Sequence, residues 1–214
     1  MGEVRKGRLF IISGPSGAGK GTICAGLPED EKAVLSVSMT TRAPRDYEEE
    51  GKSYYFVSKE RFKEILAEDG FYEHAEIYGE YYGTPKAHIK EQLDSGLDVI
   101  LEIDVKGAMQ VKEKMPDTVL VFIMPPSAEE LRNRIVHRGT ETTERIARRL
   151  ERTESEIAQV RNYDYCVVND DLEKAIDDVR EIMKSERGIP SDRAEELKIG
   201  NDSEMIIKRY HEGK

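Results

Sequence analysis

Short, nearly unbroken apolar runs alternate along this chain with longer amphipathic stretches, and that alternation sets the expected architecture. Arg8–Ser13 reads RLFIIS, ends in a Gly-rich turn, and predicts a buried strand of a parallel sheet, with a helix opening from about Lys20. Val34–Ser38 and Tyr54–Val57 predict short strands, and Lys59–Asp69 a helix stopped by Gly70. Ile77–Tyr82 is aromatic and reads as extended, with a helix over about Pro85–Leu93. Asp98–Ile103 predicts a strand, Val105–Lys114 a helix, and Thr118–Met124 a strand halted by Pro125-Pro126. Ser127 and Glu130 have the spacing of a capping box and open a helix to about His137, broken at Gly139. A long Arg- and Glu-rich helix is expected over Thr143–Arg161, then a strand at Tyr165–Val168 and a helix over Leu172–Ser185. Beyond Gly188-Ile189-Pro190 the composition turns polar and predicts a weakly ordered tail, 188–214, with one short helix.

Strands alternating with helices predict an α/β layer fold around a mostly parallel central sheet. Residues 39–90 and 127–161 interrupt the alternation and read as lobes on a core formed by 1–38, 91–126 and 162–187. A chain of 214 residues suits one domain carrying such insertions.

The turn after the first strand carries chemistry. Gly14-Pro15-Ser16-Gly17-Ala18-Gly19-Lys20 fits all but the last position of G-x-x-x-x-G-K-[ST]. Glycines there let backbone N–H groups turn toward phosphate oxygens, and Lys20 reaches the outer phosphates. An ordinary Gly-rich turn is the competing reading, but strand, loop, lysine and helix coincide. Gly21 occupies the place of the usual Ser or Thr and the hydroxyl arrives one residue later, at Thr22, so Thr22 is the candidate Mg²⁺ contact. Gly14 to Thr22 together form the expected cradle for a nucleoside triphosphate.

The remaining composition narrows the class. The formal net charge of -10 argues against a general nucleic-acid binder, while local Arg and Lys can still hold a nucleotide. No apolar run approaches the ~20 residues of a membrane span, and the polar first residues carry no apolar leader, so cytoplasm is the expected compartment. Cys24 and Cys166 stand apart in apolar surroundings and are expected to be buried thiols.

Arg42 and Arg45 lie three apart in a loop among hydroxyls, a fork suited to a dianionic phosphate, although an exposed arginine pair is the more common meaning of such a spacing. Further motifs follow in order: Ser36 to Arg45 as SVSMTTRAPR, Tyr54, Phe71-Tyr72-Glu73-His74-Ala75, and Gly79 to Thr84 as GEYYGT. They continue with Leu101 to Gly107 as LEIDVKG, Pro125-Pro126-Ser127, Arg138-Gly139-Thr140, Tyr163-Asp164-Tyr165 and Val168-Asn169-Asp170. This ordered set, over about Gly7 to Arg187, resembles the guanylate kinases, P-loop nucleoside monophosphate kinases.

The resemblance implies a three-layer P-loop NTPase fold, with 39–90 as a GMP-binding lobe and 127–161 as a helical lid. It implies transfer of a phosphoryl group from ATP to GMP, with dGMP as an open second acceptor. Glu73, assisted by Asp104, would read the guanine N1–H and N2–H₂ donors. Ser38 and Thr84 would donate to O6, and Arg42, Arg45, Tyr54 and Tyr82 would hold the GMP phosphate. Lys20, Arg42, Arg134, Arg138 and Arg149 would stabilise the transferring phosphoryl group, and Asn169 and Asp170 would lie near the adenine. Arg145, Arg148 and Arg152 read as a solvated helix face. Glu102 stands where the family more often has Asp. Two rivals remain at this stage, a kinase for another acceptor and a catalytically silent scaffold module of the same fold. Small-molecule partners are expected, without nucleic acid or membrane.

Overall fold

A computed structural model of the chain describes residues 5–27, 32–137 and 143–213, leaving aside the side chains of 137 and 143–149. The elements run β1 (Leu9–Ser13), α1 (Lys20–Gly26), β2 (Ala33–Leu35), β3 (Met39–Thr40), β4 (Tyr55–Phe56) and α2 (Lys59–Ala67). Next come β5 (Phe71–Ile77), β6 (Glu80–Pro85), α3 (Lys86–Asp94), β7 (Asp98–Glu102), α4 (Val105–Lys114) and β8 (Val119–Met124). The last are α5 (Ala128–His137), α6 (Thr143–Ile157), a 3₁₀ turn (Ala158–Asn162), β9 (Tyr165–Val168), α7 (Leu172–Glu186), α8 (Asp192–Leu197) and α9 (Ser203–Glu212). The strands form one sheet of five and one of four, and every described pairing of the larger sheet is parallel. This is the α/β architecture that the alternation of runs predicts.

The chain divides into two compact units, one comprising Met1–Leu9, Glu31–Leu101 and Lys106–Thr118, the other Phe10–Asp30, Glu102–Val105 and Val119–Lys214. In the first, β2 pairs with β7, and the smaller sheet runs β4-β3-β6-β5. Helix α2 covers that sheet because Phe62, fully buried, stacks on Phe71 at 4.3 Å between ring centres and on Tyr81 at 5.4 Å. Its start is capped by Ser58, which accepts from the Arg61 N–H at 3.1 Å. The stretch read as extended over 77–82 is a hairpin, with Tyr78 at φ 53° and Gly79 at φ 81° at its tip. An aromatic residue at positive φ is uncommon, so the turn escapes the usual Asn-Gly signature.

In the second unit, β1, β8 and β9 lie side by side in parallel. β1 and β8 are buried along their whole length, as their unbroken apolar runs require. Ser127 caps α5 by accepting from the Glu130 N–H at 3.1 Å. The Glu130 carboxylate turns forward to Arg134 Nε, 2.8 Å, so only half of the capping box forms. The segment after Gly188 departs from expectation. It carries two helices, and Ala194, Leu197, Ile199 and Tyr210 are buried. Arg193 fastens α8 to α7 through Asp178, at 2.6 Å (Nε) and 2.7 Å (Nη2). Among the described residues no helix is long and apolar enough to cross a membrane.

Candidate active site

The Gly-rich loop leaves β1 at Ser13 and enters α1 at Lys20. Two of its glycines are required by geometry. At Gly14 (φ 141°) a Cβ would meet the Ile123 carbonyl oxygen at 2.3 Å, and at Gly19 (φ 90°) it would meet Asn169 Nδ2 at 2.3 Å. Asn169, buried at the end of β9, donates from Nδ2 to the Ala18 carbonyl at 2.8 Å and so fixes the loop. Lys20 Nζ donates to the carbonyls of Gly14 (2.7 Å) and Pro15 (3.0 Å). Carbonyl dipoles are weak partners for an ammonium compared with phosphate oxygens, so a polyphosphate can take over Lys20. Burial holds the Lys20 pKa below the ordinary lysine value, against the opposing pull of Glu102, Glu156 and Asp104.

Those carboxylates define the rest of the pocket. A cavity of about 300 Å³ is lined by Gly14, Ser16, Lys20, Asp104, Arg152 and Glu156. Arg152 Nη2 donates to Asp104 at 3.0 Å and its Nε to Glu156 at 2.9 Å. Arg152 therefore does more than solvate a helix face, which corrects the sequence reading of that residue. Glu102 opens to solvent on one side, while protein packed on the other pushes its carboxyl above the ordinary range and Lys20 draws it back. A Cβ on Gly21 would meet Glu102 Oε1 at 3.3 Å, so the missing hydroxyl at 21 leaves room for the longer acid at 102.

A neighbouring cavity of about 460 Å³ is lined by Gly17, Gly19, Thr22, Arg134, Asn169, Asp170 and Leu172. Arg134 Nη2 donates to the Asn169 carbonyl at 3.2 Å. Thr22 and Asp170 are exposed there. Arg138 lies outside the described residues, and Arg149 sits within α6 with its side chain among those left aside.

The first unit gathers the other set. Between Phe71 and His74 the β5–β6 register shifts, and Glu73 sits within that bulge. Its buried carboxylate accepts from the buried Thr84 hydroxyl at 2.6 Å. Ser38, half-buried before β3, accepts at its carbonyl from Tyr55 N–H, 2.9 Å. Arg42 lies over the Tyr54 ring, 5.6 Å to its centre, and Tyr54 meets Tyr82 edge-on at 6.1 Å. The Arg45 side chain is exposed and donates to the Tyr47 hydroxyl at 2.8 Å. Glu48 is what the sequence did not single out, being hidden in the run Glu48-Glu49-Glu50. It takes both terminal nitrogens of Arg42, at 2.9 and 2.8 Å. Asp104 belongs to the unit that carries the Gly-rich loop.

A parallel sheet in an α/β fold and a strand–Gly-rich-loop–helix unit whose lysine opens the helix define a P-loop phosphotransferase. The guanylate kinase family model matches residues 6–186. Guanylate kinase of Clostridium acetobutylicum is 51% identical over 183 residues, covering 86% of this chain and 88% of that protein. The guanylate kinase of Clostridioides difficile is 45% identical over 210 residues and 98% of both chains, so it extends through the C-terminal helices. The crystal structure of guanylate kinase from Anaplasma phagocytophilum aligns with a TM-score of 0.68 at 38% identity, over 85% of this chain and 87% of that one. The chain belongs to the guanylate kinase family.

Proposed function

We infer that this protein transfers the γ-phosphoryl group of ATP to GMP, yielding ADP and GDP. The observation that carries the choice of acceptor is Glu73, a buried carboxylate held by the Thr84 hydroxyl. Guanine offers N1–H and N2–H₂ side by side, which a carboxylate accepts together, and O6 for a hydroxyl donor. Adenine presents the opposite pattern and would leave the buried groups unpaired. In this reading the base takes the place of Thr84 on Glu73, which frees the Thr84 hydroxyl to join Ser38 in donating to O6, and Arg42, Arg45, Tyr54 and Tyr82 hold the phosphate of GMP.

On the donor side, residues Gly14 to Thr22 cradle the triphosphate, with Asn169 and Asp170 near the base. The attacking phosphate oxygen of GMP is already anionic, so no general base is required. What the reaction needs is in-line placement and positive charge on the transferring group. Lys20, Arg134, Arg138 and Arg149 supply that charge, with residues 127–161 closing as a lid and 39–90 serving as the GMP lobe. Arg152, at the wall of the Lys20 cavity, is added to the donor side.

Mg²⁺ fits this donor set. Among the described residues no group of three or more His, Cys, Asp or Glu forms a metal cage, and Mg²⁺ in kinases is held largely by phosphates and water with one or two protein oxygens. Thr22 and, through water, Glu102 are the residues that would hold it, and it would neutralise charge on the phosphates. Steady-state assays with ATP and GMP, AMP, CMP, UMP or dTMP in turn test the reading. GMP should be preferred by at least about a hundredfold in kcat/KM, and preference for any other acceptor overturns it.

A further inference from the structure

Two departures from the usual phosphate-loop pattern fall on the same spot. Position 21, where a hydroxyl is usual, is Gly21, and the acid that ends β7 is the longer Glu102. A Cβ built on Gly21 would meet Glu102 Oε1 at 3.3 Å, Oε2 at 3.4 Å and Cδ at 3.7 Å, so its three nearest neighbours all belong to one carboxyl group. Conformation does not ask for glycine here. Gly14 and Gly19 have positive φ, whereas Gly21 does not, and it sits in α1, where glycine is a poor helix former. What the missing side chain provides is room for Glu102.

The next hydroxyl does not fill that room. Thr22 follows one residue on, about 100° round the helix, and lines the cavity that also includes Gly17, Gly19 and Asn169. Glu102 lies toward Lys20 instead: of the carboxylates around that ammonium it pulls hardest on the charge. We propose that Gly21 and Glu102 are a matched pair: the carboxylate supplies, beside Lys20, the oxygen that the loop lacks at position 21, and Gly21 is glycine to admit it. An acid one methylene shorter would withdraw by about 1.5 Å and leave a gap that a hydroxyl at 21 would fill. Glycine with glutamate and serine with aspartate therefore occupy the same space, and half of each leaves either crowding or a hole. The ligand that this oxygen serves is the hydrated Mg²⁺ of the donor nucleotide.

The pairing rests on the reading of Gly14 to Thr22 as the triphosphate cradle. Independent residues would give additive losses, whereas a matched pair is rescued by exchanging both. Binding of a non-hydrolysable ATP analogue is measured by calorimetry, with Mg²⁺ and with a chelator, for wild type, Gly21→Ser, Glu102→Asp and the double variant. Each single change should weaken binding in Mg²⁺ about tenfold, the scale of one charge-assisted contact. The double variant should return to within about threefold of wild type, and in chelator all four should agree within about threefold. Gly21→Ala combined with Glu102→Asp restores the room without the hydroxyl and should stay about tenfold weak in Mg²⁺. Losses that add in the double variant, single variants that bind like wild type, differences that persist in chelator, or rescue by the alanine combination overturn the proposal. Failure of the wild-type protein to bind the analogue would instead overturn the cradle assignment.

Discussion

The Gly-rich loop and the arginine loop handle negative charge by opposite means. Between Gly14 and Lys20 the site is a backbone shape, made possible by positive φ values and kept by Asn169, with one lysine parked on carbonyl oxygens. Between Arg42 and Glu48 the backbone is an ordinary turn and the site is a set of side chains, held by an internal carboxylate. The first arrangement is held at both ends, by a strand of the sheet and by the helix it opens. The second has to be stiffened locally, by ion pairs and by Tyr54 and Tyr82. A backbone site tolerates few substitutions and a side-chain site many, each at a measurable loss.

Single substitutions can break or sharpen that contrast. The largest effect is expected for Lys20→Ala, which should lower kcat by at least about a thousandfold with an unchanged circular dichroism spectrum. Activity within tenfold of wild type would remove Lys20 from its role. Next is a change away from both loops. Arg193→Ala leaves Asp178, whose side chain is 7% exposed, without its bidentate partner. It should cost about 3 kcal/mol, or a fall in Tm of roughly 10 °C, with KM for ATP and for GMP unaltered. A shift in either KM would mean that the C-terminal helices communicate with a site.

Glu73→Gln should raise KM for GMP by roughly ten- to a hundredfold and leave KM for ATP alone. Equal losses for both nucleotides would argue against separate recognition. The smallest effect concerns the thiols. Burial pushes Cys166 up to about 12 and Cys24 well above the usual thiol range, so the thiolate fraction at pH 8 is negligible at both. The native protein should resist alkylation at pH 8 and react at both cysteines in guanidinium. Rapid native labelling would show that α1 or β9 opens.

What could be read in the sequence follows the same division. The Gly-rich loop was legible because its residues are contiguous, and β1 and β8 because strands buried on both faces are unbroken apolar runs. The hairpin tip escaped because Tyr78 does not announce a turn. The C-terminal helices escaped because their hold on the protein is Arg193 reaching Asp178 fifteen residues back, plus a few scattered apolar contacts. Glu48 and Arg152 escaped for one physical reason. A charged run has no periodicity that marks which member turns inward, and that choice depends on partners such as Arg42 and Asp104 that only the fold brings near.

The C-terminal segment also has a protective side. β9 is an outer strand of its sheet, and outer strands present backbone groups on which another chain can build. Here Ile199 donates to the Asp164 carbonyl at 3.1 Å, Lys198 bridges to Tyr165, and α9 buries Tyr210. The chain's own end therefore occupies the ground on which a second molecule would start to add. Cut at Gly188, the protein would keep its Gly-rich loop and lose this guard. Its first failure would then be growth of aggregates from that edge, before any loss of phosphoryl transfer.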